Sequence, residues 1–111
     1  MAESKYITQI QENGSVMIAE EVLVSIIYHA VEEVDNVKLS GKPGKNWGKG
    51  IKISILDDNQ VEVVCYINVN YNQSVVSAAA ATQEAVTNSL ESMTGVKVTS
   101  VNVNVCGIIR D

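Results

Sequence analysis

The chain contains no Phe, a single Pro, a single His and a single Trp. Without Phe, the core has to be assembled from Val, Ile, Leu, Ala and Met. That set favours β-branched strands and close helix contacts through small residues. One His and two Cys, at 29, 65 and 106, offer no zinc-ligand spacing. Two cysteines are also too few for a disulfide framework and read as reduced thiols of a cytosolic protein. No apolar run approaches the roughly 20 residues that span a bilayer. Residues 1–14 lack the basic start and apolar run of a signal peptide. A membrane role therefore has to pass through a surface, a partner or an anchor on another chain.

Positive charge is scarce everywhere but in one stretch. Five of the eight basic residues, Lys38, Lys42, Lys45, Lys49 and Lys52, fall within residues 38–52, where no acidic residue occurs. The rest of the chain holds Lys5, Lys97 and Arg110 against all thirteen acidic residues, and the whole carries a net charge of −5. A cationic loop on an anionic body is a candidate contact surface. Gly41, Pro43, Gly44, Gly48 and Gly50 break regular structure in the same stretch, and Trp47 sits among its lysines. An indole there can anchor a protein contact, stack on a base, insert at a lipid interface or fold back over the sheet. Lys42, Lys45, Trp47 and Lys49 are the candidate partner-contact residues.

With 111 residues, the chain fits one domain and can bury roughly two thirds of its unfolded surface. Tyr6, Thr8 and Ile10 alternate weakly ahead of Gly14, so residues 1–13 read as an edge strand or a flexible N-terminus. Leu23, Ile26, Ile27, Ala30 and Val34 place a helix over about 19–34, with Val24, Tyr28 and Val31 broadening its apolar face. Val37 and Leu39 suggest a brief strand. Ile51, Ile53 and Ile55, a polar turn at 57–60, then alternation from Val61 to Asn70 make an antiparallel hairpin. A second helix starts behind Asn72 or Ser74 and stops at Gly95, with Val75, Ala79, Thr82, Val86, Leu90 and Met93 as its stripe. In the last strand, Thr99, Val101, Val103 and Val105 are expected inward, and Ser100, Asn102, Asn104 and Cys106 outward. Strand, helix, strand in sequence implies a right-handed parallel crossover. The expected fold is α+β: a two-layer sandwich of one mixed sheet, hairpin plus crossover strand, with two helices packed on one face.

Chemistry-bearing constellations are thin. His29 with Glu33 at i+4 has the spacing of a base and its orienting carboxylate, but nothing nearby suggests a nucleophile. Asp57 and Asp58 suit turn geometry. Residues 44–50 have too short a glycine spacing for a phosphate-binding P-loop and lead into a strand rather than a helix. Gly41-Lys42-Pro43-Gly44 matches a KH clamp loop in letters but not in flanking helices. No catalytic residue, metal site or cofactor is expected. Nucleic-acid binding through loop 40–50 is the second reading, disfavoured by the acidic body. Tyr66, Asn68, Asn70, Asn102 and Asn104 are expected to share the outward sheet face as a polar ladder. The alanines at 78–81 slim the second helix enough to allow a homo-oligomer.

Several segments together resemble one known family. They are Gly14 to Val22 (GSVMIAEEV), Lys49 to Ile53 (KGIKI), Asn68 to Tyr71 (NVNY), Gln83 to Val86 (QEAV), Met93 to Val98 (MTGVKV) and Val101 to Val105 (VNVNV). In order and spacing they are similar to the alkaline shock proteins, or envelope stress response proteins, of Gram-positive bacteria. Glu20 stands where that family often has Pro, and Asn72 where it often has Gly. The resemblance implies a cytoplasmic, non-enzymatic protein of the envelope stress response. It also implies a protein partner, membrane-anchored for some members, that holds it near the membrane.

Overall fold

The computed structural model describes residues 6–40 and 50–109. Its chain begins with two antiparallel strands, β1 (Tyr6–Gln11) and β2 (Gly14–Ala19), which form a sheet of their own. The alternation at Tyr6, Thr8 and Ile10 is therefore a true strand, and Val16 and Ile18 belong to its partner. Ile7 is fully buried and faces Ile18. Two side chains tie the ribbon down: Gln9 Nε2 donates to Thr94 O at 2.8 Å, and Asn59 Nδ2 donates to Thr8 O at 2.7 Å. β2 runs straight into helix α1 (Glu20–Glu32). Ala19 at its N-cap offers no side-chain acceptor, and Glu20 and Glu21 in the first turn complement the helix dipole instead. The helix ends two residues earlier than periodicity suggests, and Asn36, at φ 67°, turns the chain into the next strand.

The main sheet has β5 (Gln60–Asn70) at its centre. β3 (Val37–Leu39) and β4 (Ile51–Leu56) both pair antiparallel with β5, while β6 (Lys97–Ile109) pairs parallel with it. Helix α2 (Val75–Thr94) makes the crossover between β5 and β6. The alternation of β5 decides the layers. Val61, Val63, Cys65, Ile67 and Val69 are all fully buried, and they join Leu23, Ile27 and Val31 of α1 and Val86 and Leu90 of α2 in one core. Burying each such aliphatic side chain stabilises the fold by about 1.5–3 kcal/mol. This is the expected α+β arrangement with both helices on one sheet face, plus the separate N-terminal ribbon.

The buried row of α2 differs from the expected stripe. Ala78, Thr82, Val86, Leu90 and Thr94 point inward at strict i+4 spacing, while Val75 and Met93 are exposed. Two threonines fit a buried row because each hydroxyl bonds back one turn, Thr82 to Ala78 O (2.9 Å) and Thr94 to Leu90 O (2.6 Å). Thr82, Val86 and Leu90 match the expected stripe, and Ala78 and Thr94 are the residues it missed. Ser74 caps the helix by accepting from Ser77 N, and Gly95 ends it at φ 79° with its N–H on Glu91 O. A Cβ at Gly95 would stand 3.1 Å from Gln9 Nε2, the group that holds the ribbon to Thr94. Gly95→Ala is expected to destabilise the protein by about 1–3 kcal/mol, combining left-handed strain with a displaced Gln9. A urea midpoint equal to wild type would refute this.

β6 carries two irregularities. Its register slips between Val61 and Glu62 and again between Ile67 and Asn68, leaving Thr99 and Cys106 as the extra residues. Thr99 is therefore exposed rather than inward, and its hydroxyl donates to Val61 O at 3.1 Å. Between the two bulges the expected alternation holds: Val101 is buried, Val103 and Val105 are half-buried, and Asn102 and Asn104 are exposed.

Candidate interaction surface

The roots of the lysine-rich segment are set by one rung of the sheet. Leu39 lies opposite Ile67 and Ile51 lies opposite Cys65, so a single position opposite Tyr66 remains between β3 and β4. An antiparallel partner normally fills such a rung with one residue that gives both its N–H and its C=O. Here two residues divide it. Ser40 N donates to Tyr66 O at 2.8 Å, and Tyr66 N donates to Gly50 O at 2.8 Å. Ser40 and Gly50, the described residues on either side of 41–49, thus meet the same sheet edge at one point. Lys42, Lys45, Trp47 and Lys49 belong to that segment and lie outside the described residues.

The two flanking lysines are described. Lys38 pairs with Asn68 and Lys52 with Val64, so both project from the sheet face opposite the helices, one on each side of Tyr66. Both are exposed. Lys52 Nζ stands 5.9 Å from the centre of the Tyr66 ring, a cation–π contact worth about 0.5–1 kcal/mol at an exposed site. Sequence reasoning found the lysines but not Tyr66 as the residue between them. The signal was available in the alternation of β5, which already turns Tyr66 outward.

The asparagines share the outer face but do not make one continuous ladder. Tyr66 sits beside Asn104 and Val64 beside Asn102, but the bulge at Cys106 puts Gly107 opposite Asn68. A Cβ there would meet Asn68 Oδ1 at 3.0 Å, so the glycine makes room for the amide. Asn70 Oδ1 accepts from Asn72 N at 3.0 Å and shapes the turn into α2.

The remaining candidates have structural surroundings. His29 is exposed, with its ring edge-on to Tyr28 at 5.3 Å. Asp57 and Asp58 occupy a short 3-10 turn in which Asp58 and Asn59 take positive φ, the backbone that Asp and Asn tolerate best. Cys65 is buried and Cys106 exposed, as opposite strand faces imply. Burial pushes the Cys65 thiol up to about 12. Among the described residues, no three His, Cys, Asp or Glu side chains gather into a metal-binding group, and no helix is long and apolar enough to cross a membrane.

A family model for the alkaline shock protein 23 family, cell envelope-related function, matches residues 8–110, which span both sheets and both helices. The chain belongs to that family. Among curated proteins, it is similar to YqhY of Bacillus subtilis (strain 168), described as uncharacterized. The two are 33% identical over 108 residues, covering 88% of this chain and 79% of the relative. No solved structure matches the chain. Membership of this alkaline shock protein family gives the protein a cell envelope-related role. The split rung at Tyr66 and the lysines beside it fall within the matched region.

Proposed function

We propose that this chain is a non-enzymatic interaction protein of the envelope stress response, cytoplasmic and held near the membrane by a protein partner. Its contact residues are Lys42, Lys45, Trp47 and Lys49. The observation that carries this reading is the divided rung at Tyr66. It brings Ser40 and Gly50, which flank the most cationic stretch of the sequence, to one sheet edge between two exposed lysines that share a face. Concentrated positive charge on an otherwise acidic chain steers association toward an acidic patch on a partner, and an indole supplies a desolvated anchor.

The test is affinity capture from the native cytoplasm and membrane fraction with wild type and with the Lys42→Ala, Lys45→Ala, Trp47→Ala, Lys49→Ala quadruple variant. The variant is expected to lose the wild-type partners while its melting temperature stays within a degree or two, as side chains that serve a contact rather than the fold shift stability little. Retention of every partner would remove these residues from the contact. Binding of single-stranded RNA that weakens steeply with added salt would replace the partner reading with a nucleic-acid one.

A further inference from the structure

The two edges of the main sheet are treated differently. The β3/β4 edge is interrupted at Tyr66 and flanked by Lys38 and Lys52, devices that discourage edge-to-edge pairing. The other edge is β6, whose only strand partner among the described residues is β5. From Val98 to Ile109 it carries no charged residue and no Pro. A long uncharged edge is a template for another strand.

Which groups of β6 face outward follows from the pairing of β5. Tyr66 and Asn70 direct their backbone groups to the β3/β4 side, as their bonds to Ser40, Gly50 and Asn36 show. Odd-numbered residues of β5 therefore face β6. By the parallel register, Ser100, Asn102 and Asn104 turn their N–H and C=O toward β5, while Val101, Val103 and Val105 turn theirs to the open edge. Helix α2 supplies two polar contacts along this edge: Glu91 Oε2 accepts from Val98 N at 3.1 Å, and Gln83 Nε2 donates to Val101 O at 3.0 Å.

The open stretch is self-complementary. Residues 101–105 read Val-Asn-Val-Asn-Val, the same in both directions, and lie between the bulges at Thr99 and Cys106. A second copy placed antiparallel and centred on Val103 sets Val103 against Val103, Val101 against Val105 and Asn102 against Asn104. The outward backbone groups are in phase at the same centre, giving about six new hydrogen bonds. Val101 O can keep Gln83 and accept the new donor, since a carbonyl has two lone pairs. The Glu91 carboxylate at Val98 and the bulges stop the pairing at both ends, so the contact closes as a two-fold dimer. The helix rise of 1.5 Å against about 3.3 Å for a strand puts Ala80 roughly level with Val103. Ala80 is exposed and small, so the flanking helices of the two copies have room to meet.

We infer that the β6 edge is a homodimer interface, in which Val101–Asn102–Val103–Asn104–Val105 pairs antiparallel with the same segment of a second copy and makes one continuous sheet. Sedimentation equilibrium of the full chain across the micromolar range tests it, comparing wild type with Val103→Pro. The ring removes an N–H that β5 does not use, so the monomer fold is retained and far-UV circular dichroism is unchanged. Wild type is expected to dimerise, and Val103→Pro to weaken the dimer on the order of a hundredfold, since each copy loses a donor to the other. A monomeric wild type overturns the inference, as does a Val103→Pro dimer of wild-type strength. Should Val103→Pro fail to fold, Asn102→Cys with Asn104→Cys in a Cys106→Ser background decides. Facing residues about 4.5 Å apart are within disulfide reach, so a reducible covalent dimer is expected. Its absence under oxidising conditions overturns the proposal.

Discussion

Ile27→Ala is expected to lower the free energy of unfolding by about 2–5 kcal/mol, the range for truncating a fully buried aliphatic side chain. Ile27 is 0% exposed, with Leu23 and Val31 a turn away on either side, and belongs to the core shared by both helices and β5. Part of the loss is transfer free energy, and part is the cavity that remains. The surrounding β-branched side chains are stiff about χ1 and have limited freedom to close it. Against the 5–15 kcal/mol typical of a domain, such a loss is a large fraction of the whole. Ile10→Ala is the control, because Ile10 is 84% exposed on the ribbon and its truncation is expected to change stability by less than about 0.5 kcal/mol. Equilibrium urea unfolding of both variants checks the contrast. Equal midpoints for the two would mean that the helix–sheet layer is not the principal core.

Wild type is also expected to lose stability steeply in strong alkali, through Cys65. Its thiol has an ordinary value of 9.0 and is pushed up to about 12 by burial. Above pH 9 the unfolded chain releases this proton while the folded chain keeps it, so unfolding becomes more favourable as pH rises. Below pH 9 both states hold the proton and the group contributes no slope. Between pH 9 and 12 the contribution falls by up to about 1.4 kcal/mol per pH unit. Cys65→Val keeps an apolar side chain of similar size without a titrating group. Urea unfolding at pH 8, 9, 10 and 11 should show the wild-type curve falling away from that of Cys65→Val only above pH 9. Parallel curves across that range would show that Cys65 keeps its ordinary thiol behaviour in the fold.

The extent to which residues announce their place varies along the chain. β5 was fully legible, because a central strand covered on one face has to alternate strictly, and Val61 to Asn70 does so. The ends of α2 were legible for a local reason as well: a serine that can accept from an N–H at the start, and a glycine that can take positive φ at the end. The buried row of α2 was legible only in its middle: Thr82, Val86 and Leu90 were expected there, Ala78 and Thr94 were not. Thr94 becomes a core residue because the Leu90 carbonyl satisfies its hydroxyl, and no hydrophobicity count contains that bond. Thr99 was misplaced because a bulge depends on how two strands slide past one another, which neither strand encodes alone. The lysine-rich segment was visible from charge alone. Its attachment at Tyr66 was not, since Ser40 and Gly50 are ten residues apart in the chain and meet only by sharing a partner.

By itself, the order of residues determined the α+β class, both helices, the hairpin, the crossover strand, the opposite exposures of the two thiols and the place where cations gather. These follow from periodicity, capping and composition, which act over a few neighbouring residues. Only the folded arrangement decided that the N-terminal ribbon is tied to Thr94 and Asn59, that two segments divide one rung opposite Tyr66, and that β6 has β5 as its only strand partner among the described residues. Those features depend on contacts between residues far apart in the chain, and local preference carries no information about which distant strand supplies the missing hydrogen bond.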